Sequence, residues 1–127
     1  MAKAAKAQGA RVMLYVEWPR RGIEETAYTM NVYRGIAKAA NTEIIPVCYA
    51  WNSVVRKSPN APMYTVDGNH ALITGSYLAA CCVYFHLAGT DKTPTWRPKN
   101  VDKAVGDLCL SEARALEKRV LAKNGKV

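Results

Sequence analysis

The sequence predicts a mixed α/β fold built on parallel strands. Two continuous apolar runs rich in β-formers, "RVMLYVEW" at 11–18 and "EIIPVCYA" at 43–50, are separated by one amphipathic helical segment. A turn-rich stretch then leads into a segment that is apolar nearly all round, as a helix buried against a sheet would be.

Each element has its own signal. The run at 11–18 shows no apolar-polar alternation, which suits a strand covered on both faces, and it ends at Pro19 with Gly22 breaking the chain. Over 24–40, Ala27, Met30, Tyr33, Ala37 and Ala40 recur every three or four residues. Glu24 and Glu25 stand at the N-terminal end of that helix, where negative charge complements the dipole, and Asn41 closes it. Strand, helix and strand within about 40 residues specify a right-handed βαβ unit. Pro46 cannot donate to a ladder, so the second strand is expected at an edge or to end early. Residues 52–72 read as a loop on Pro59, Asn60, Pro62, Asp67 and Gly68. A helix near 74–88 follows, with Thr74 as N-cap and Gly89 just past its end. The Pro-rich connector "TPTWRPKN" at 93–100 separates a last amphipathic helix, expected after Ser111 as N-cap. Ala113, Leu116, Val120 and Leu121 would form its apolar face, with Arg114, Lys118 and Lys123 outside, and the connector would let it dock on another chain.

The 127 residues suffice for a single domain, with a soft boundary between 1–92 and 93–127. The N-terminal lysines have no apolar stretch behind them, and the longest apolar run, 77–85, is far short of the roughly 20 residues that span a bilayer. The expectation is a soluble chain with no membrane span and no address that names its compartment. Cys48, Cys81, Cys82 and Cys109 lack C-x-x-C spacing and read as buried free thiols. Cys82 and His86 are four residues apart, but two ligands do not make a metal site, so neither a metal nor a cofactor is expected. The formal charge of +8 is spread over both ends and would attract polyanions non-specifically. No RNP-like aromatic motif or zinc-finger spacing accompanies it, so a nucleic-acid-binding protein ranks last among the readings.

In a parallel α/β sheet the loops leaving the C-terminal strand ends carry the chemistry. Residues 18–21 leave the first strand and residues 52–70 leave the second, so both loops should open on one edge. The second contains Asp67 and His70. Histidine is the commonest general base, and a carboxylate on its other ring nitrogen fixes the tautomer and stabilises the imidazolium. Three residues apart on a Gly68 turn, the two side chains should face each other and stay partly accessible. The same four residues also fit a capped turn and nothing more. Trp18, Trp51 and Trp96 read first as core or rim packing, with Trp18 and Trp51 as candidates for a substrate pocket. Arg20 and Arg21 read as a solvated pair.

The stretch "YTVDGNHALITGSYLAACCVYFHLAG" at 64–89 resembles the final block of the SGNH hydrolases, the GDSL-type esterases and lipases, in which a D-x-x-H loop follows the last strand and leads into a helix. "GARVMLYVEW" is similar to the penultimate strand, "YRGIAKAANTEIIPVCYAW" to a helix and final strand, and "LSEARALEKRV" to the C-terminal helix. The resemblance implies a partial flavodoxin-like α/β/α sandwich with parallel strands and its N-terminal strands missing. It assigns His70 as general base and Asp67 as its orienting acid in a Ser-His-Asp ester hydrolase. The Gly-Asp-Ser nucleophile block and the Gly-x-Asn-Asp oxyanion block do not occur, and Ser53, Ser58, Ser76 and Ser111 sit in no matching context. Ala71 stands where the family usually has proline. The expected partners are therefore the chain itself or a chain carrying the missing half, with an ester substrate once completed. A non-catalytic module that oligomerises to cover its sheet is the rival reading.

Overall fold

Met13–Tyr15 (β1) and Glu43–Ile45 (β2) pair in parallel, with Met13 opposite Glu43, Leu14 opposite Ile44 and Tyr15 opposite Ile45, in a computed structural model that describes residues 1–124. Lys126, one of the C-terminal basic residues, lies outside them. The helices are Ala2–Ala7 (α1), Thr26–Ala40 (α2), Val47–Lys57 (α3), Ile73–Ala88 (α4) and Lys103–Asn124 (α5). The parallel pair bridged by α2 is the βαβ unit that the two apolar runs predict. Only the middle of the first run enters the ladder, which Val16 extends by donating its N–H to the Ile45 carbonyl at 3.0 Å.

Strand alternation places Val16 and Ile44 with Met30 and Tyr33 on the α2 side of the sheet. Met13 and Ile45 belong to the larger cluster on the other side, formed by α3, α4 and α5. Helices therefore cover both faces of a two-stranded sheet. Within α2, Met30 and Ala37 are buried at a spacing of two turns, and Asn41 ends the helix in the left-handed region at φ 48°.

Several expectations from the sequence are corrected. The run at 43–50 is not one strand: Pro46 cannot donate to the ladder, so β2 stops at Ile45 and Pro46 becomes the N-cap of α3. Residues 52–57, expected as loop, complete that helix, because Val47, Cys48, Ala50, Trp51 and Val54 recur on one face and are all buried. Thr74 is not the cap of α4; Leu72 holds that position and Thr74 is buried within the first turn. Ser111 is not the cap of α5. Asp102 is, accepting the backbone N–H groups of Ala104 and Val105 at 2.9 and 3.1 Å, so the helix starts nine residues earlier than expected.

Gly89 does end α4, at φ 84°. The connector does not free α5 for another chain: Ala113 and Leu116 pack into the main core with Phe85 and Leu78. Leu121, expected on that apolar face, is half exposed. Arg114, expected outside, lies over the Phe85 ring at 5.0 Å and donates to the Thr93 hydroxyl.

A clamp ties the start of the sheet together. Arg11, just before β1, donates through Nε and Nη2 to the two carboxylate oxygens of Glu43 at 2.8 and 2.7 Å. The bond to Arg11, joined by a second from His86, holds the Glu43 carboxyl down at about 2. A depressed carboxyl stabilises the fold above its unfolded value, near 4.5, and that stabilisation is lost as pH falls through about 2. Because the pair is about half exposed, solvent screens it and its contribution is small. Glu43→Gln should thus lower the urea midpoint slightly near neutrality, and the difference from wild type should shrink towards pH ~2. Equal midpoints for the two proteins near neutrality would show that the clamp contributes nothing.

Candidate active site

The loop that leaves β1 and the loop between α3 and α4 are locked together; the second follows α3 and does not leave β2 directly as the sequence predicts, because the chain turns into a helix at Pro46. The indole N–H of Trp18 donates to the Asn69 carbonyl at 2.8 Å, the Arg21 backbone N–H to the Gly68 carbonyl at 2.8 Å, and the Tyr64 hydroxyl to the Pro19 carbonyl at 2.8 Å. Arg21 also donates through Nη2 to the carbonyls of Tyr64 and Thr65, and its guanidinium lies 5.3 Å from the Tyr64 ring centre. Exposed as expected, it is also a strap across the loop. Arg20 instead pairs with Glu25 at 2.9 Å.

The Asp67 loop is closed like a short hairpin, with Tyr64 and Ala71 in an antiparallel bridge. The Thr65 N–H donates to the His70 carbonyl at 2.8 Å and the Gly68 N–H to the Thr65 carbonyl at 3.1 Å. Gly68 takes φ 70°, and a β-carbon there would come within 3.2 Å of the Arg21 β-carbon, so glycine serves both the turn and the close approach.

Within this frame Asp67 uses its two oxygens for two tasks. Oδ1 accepts from the backbone N–H groups of Asn69 and His70, at 2.8 and 3.0 Å, and from the Thr65 hydroxyl at 2.5 Å. Oδ2 faces His70 Nδ1 at 2.5 Å. The Thr65 hydroxyl, then His70 and the two backbone donors, hold the Asp67 carboxyl well below the usual carboxylate range. An ionised carboxylate only accepts, so Nδ1 carries the proton and Nε2 presents its lone pair. Among the described residues Nε2 has no hydrogen-bond partner, and the His70 side chain is 76% exposed against 48% for Asp67. The turn contacts and the contact with His70 thus fall on separate oxygens of one carboxylate.

Trp18 and Trp51 come together, stacked with centroids 4.3 Å apart and planes 14° from parallel. Trp51 is fully buried and meets Tyr64 edge-on at 5.0 Å. Trp96 sits elsewhere, 68% exposed and edge-on to Tyr77.

The chain's nucleophiles are placed away from this dyad's hydrogen bonds. Among the described residues no serine hydroxyl bonds to His70; Ser53 is buried in α3, while Ser76 and Ser111 are exposed on α4 and α5. The four cysteines are buried and unpaired. Burial pushes the Cys48 and Cys81 thiols up to about 11 and Cys109 to about 12, with Cys82 higher still, so none offers a thiolate near neutrality.

His86 is the residue whose setting the sequence reading missed. Its Nδ1 lies 3.1 Å from Glu117 Oε2 and its Nε2 lies 3.1 Å from Glu43 Oε2, with the side chain only 6% exposed. Both carboxylates are distant in sequence, so no local spacing could have shown them. No family model matches the sequence, and neither a curated protein nor a solved structure matches it significantly. Among the described residues, no helix is long and apolar enough to cross a membrane.

Proposed function

We propose that this chain supplies the His-Asp arm of an SGNH-type serine ester hydrolase, with the serine and the oxyanion donors brought by a segment outside these 127 residues, covalently continuous or separate. The observation that carries this reading is His70, held by Asp67 through Nδ1 at 2.5 Å and presenting an unbonded Nε2 to solvent. A base so oriented takes the proton from a serine hydroxyl as its oxygen attacks the ester carbonyl, then returns it to the leaving alcohol. Acyl transfer also needs donors aimed at the developing oxyanion.

The surfaces around the sheet support an additional layer of structure. The alternation of the parallel ladder points the Met13 and Tyr15 backbone groups away from β2, leaving that edge of β1 open. On α2, Tyr28, Val32 and Ile36 form an exposed apolar stripe at successive four-residue spacings. The same features favour the rival reading, an assembly module that covers them with its own copy.

The lone chain should take no label from a serine-reactive phosphonate, and should hydrolyse a short aryl ester no faster than an exposed imidazole does. Stoichiometric labelling of Ser53, Ser58, Ser76 or Ser111 would sink the proposal. A stable oligomer in which His70→Ala changes neither mass nor any esterase activity would favour the assembly module.

A further inference from the structure

A second concave site lies along the outer edge of β2, bounded by α2 and the C-terminal half of α5. The cavity is about 410 Å³, within the range of small-molecule pockets. Its floor is apolar, formed by Met30 and Ala37 of α2 with Leu116 and Val120 of α5.

Three cations stand over this floor: Arg34, Arg119 and Lys123. Among the described residues none of them has a carboxylate within ion-pair distance; Arg34 only donates to the Tyr49 hydroxyl at 3.3 Å. Among the described residues the one carboxylate in the wall, Glu43, is already engaged by the Arg11 fork and by His86, and His86 is in turn held by Glu117. Local charge is therefore positive and uncompensated on the ligand side.

The strand adds a further donor. Val16 binds the Ile45 carbonyl, so in this parallel ladder Glu43 and Ile45 direct their backbone groups to β1. Ile44 then directs its N–H and carbonyl outward to the cavity it lines. A head group with several acceptor oxygens could take this N–H together with the two guanidiniums, which are suited to forked recognition of carboxylate or phosphate.

We propose that this groove binds an amphipathic anion, a carboxylate or phosphate monoester on an apolar body, with Arg34 and Arg119 holding the head and the α2 and α5 side chains covering the body. The site is separate from the Asp67 and His70 loop and does not rest on the esterase reading. Charge complementarity selects the class: an uncharged amphiphile leaves the cations unpaired, and a small inorganic anion leaves the apolar floor wet.

Calorimetric titration of the full chain with decanoate, decyl phosphate and decanol tests this. One saturable site per chain is expected for whichever anion supplies the head, with decanol at least about tenfold weaker, the value of one charge-assisted hydrogen bond. The tighter of the two anions identifies the head. Arg34→Ala with Arg119→Ala should weaken binding by about tenfold or more and flatten its dependence on salt. Val120→Trp, which keeps every charge but fills the floor, should abolish binding while far-ultraviolet circular dichroism stays unchanged. Decanol binding as tightly as the anions, full affinity in the double variant, many ligands per chain or no saturation would each overturn the proposal.

Discussion

Trp51→Ala should destabilise the chain by about 3–5 kcal/mol, the usual cost of emptying a buried aromatic site, and so remove a large share of a small domain's stability. The indole is fully buried at the junction of α3, the Met63 to Ala71 segment and α4. A β-carbon at Gly75 would lie 2.2 Å from the Trp51 ring and 2.7 Å from the Met63 carbonyl, so only glycine lets the first turn of α4 rest against this ring. Collapse into the cavity is restricted, since Trp18 stacks on the other face of Trp51 and is tied to Asn69. The same removal should loosen the Asp67 loop, because Tyr64, which braces it to Pro19, packs edge-on against Trp51. Denaturant unfolding should show a large fall in midpoint, and His70 ring resonances should broaden or shift. Trp51→Phe, which keeps an aromatic ring, should lose less on both counts. A midpoint within about 1 kcal/mol of wild type for Trp51→Ala would mean the ring is not the keystone its burial indicates.

What was legible in the sequence depended on how local the cause was. The parallel β1 and β2 pair around α2 follows from apolar runs and helical periodicity, and Asp67 meets His70 because a three-residue turn brings them together without help. Pro46 was read correctly as ending a strand, yet its second role as the start of α3 was not. The stretch from Val47 to Trp51 is apolar throughout and satisfies a strand and a one-sided helix alike until burial decides between them. The start of α5 was missed for a similar reason: Asp102 and Ser111 are both good caps, and only the docking of Cys109 and Ala113 against α4 extends the helix back to Lys103. The Arg21 strap, the Trp18 bond to Asn69 and the His86 carboxylate pair join residues more than 30 positions apart, where no spacing rule reaches.

With a segment carrying the serine and oxyanion donors supplied, His70→Ala should abolish ester hydrolysis, and Asp67→Asn should cut it by roughly four orders of magnitude, as expected for a serine triad whose histidine tautomer is reversed. The two replacements act through different atoms. In Asp67→Asn, the remaining Oδ1 can still accept from Asn69, His70 and Thr65, so the loop keeps its closure. The new amide N–H₂ faces His70 Nδ1, however, and makes that nitrogen an acceptor, which moves the ring proton to Nε2 and takes the lone pair away from the serine. Activity should therefore fall while backbone amide resonances of residues 65–70 stay near their wild-type positions. Asp67→Ala removes both functions, so it should lose activity and also disturb those resonances. If Asp67→Asn hydrolyses at the wild-type rate while His70→Ala does not, the carboxylate is a turn device only and His70 works without an orienting acid. If His70→Ala is itself active, the base lies elsewhere and the resemblance at residues 64–89 is one of turn and helix alone.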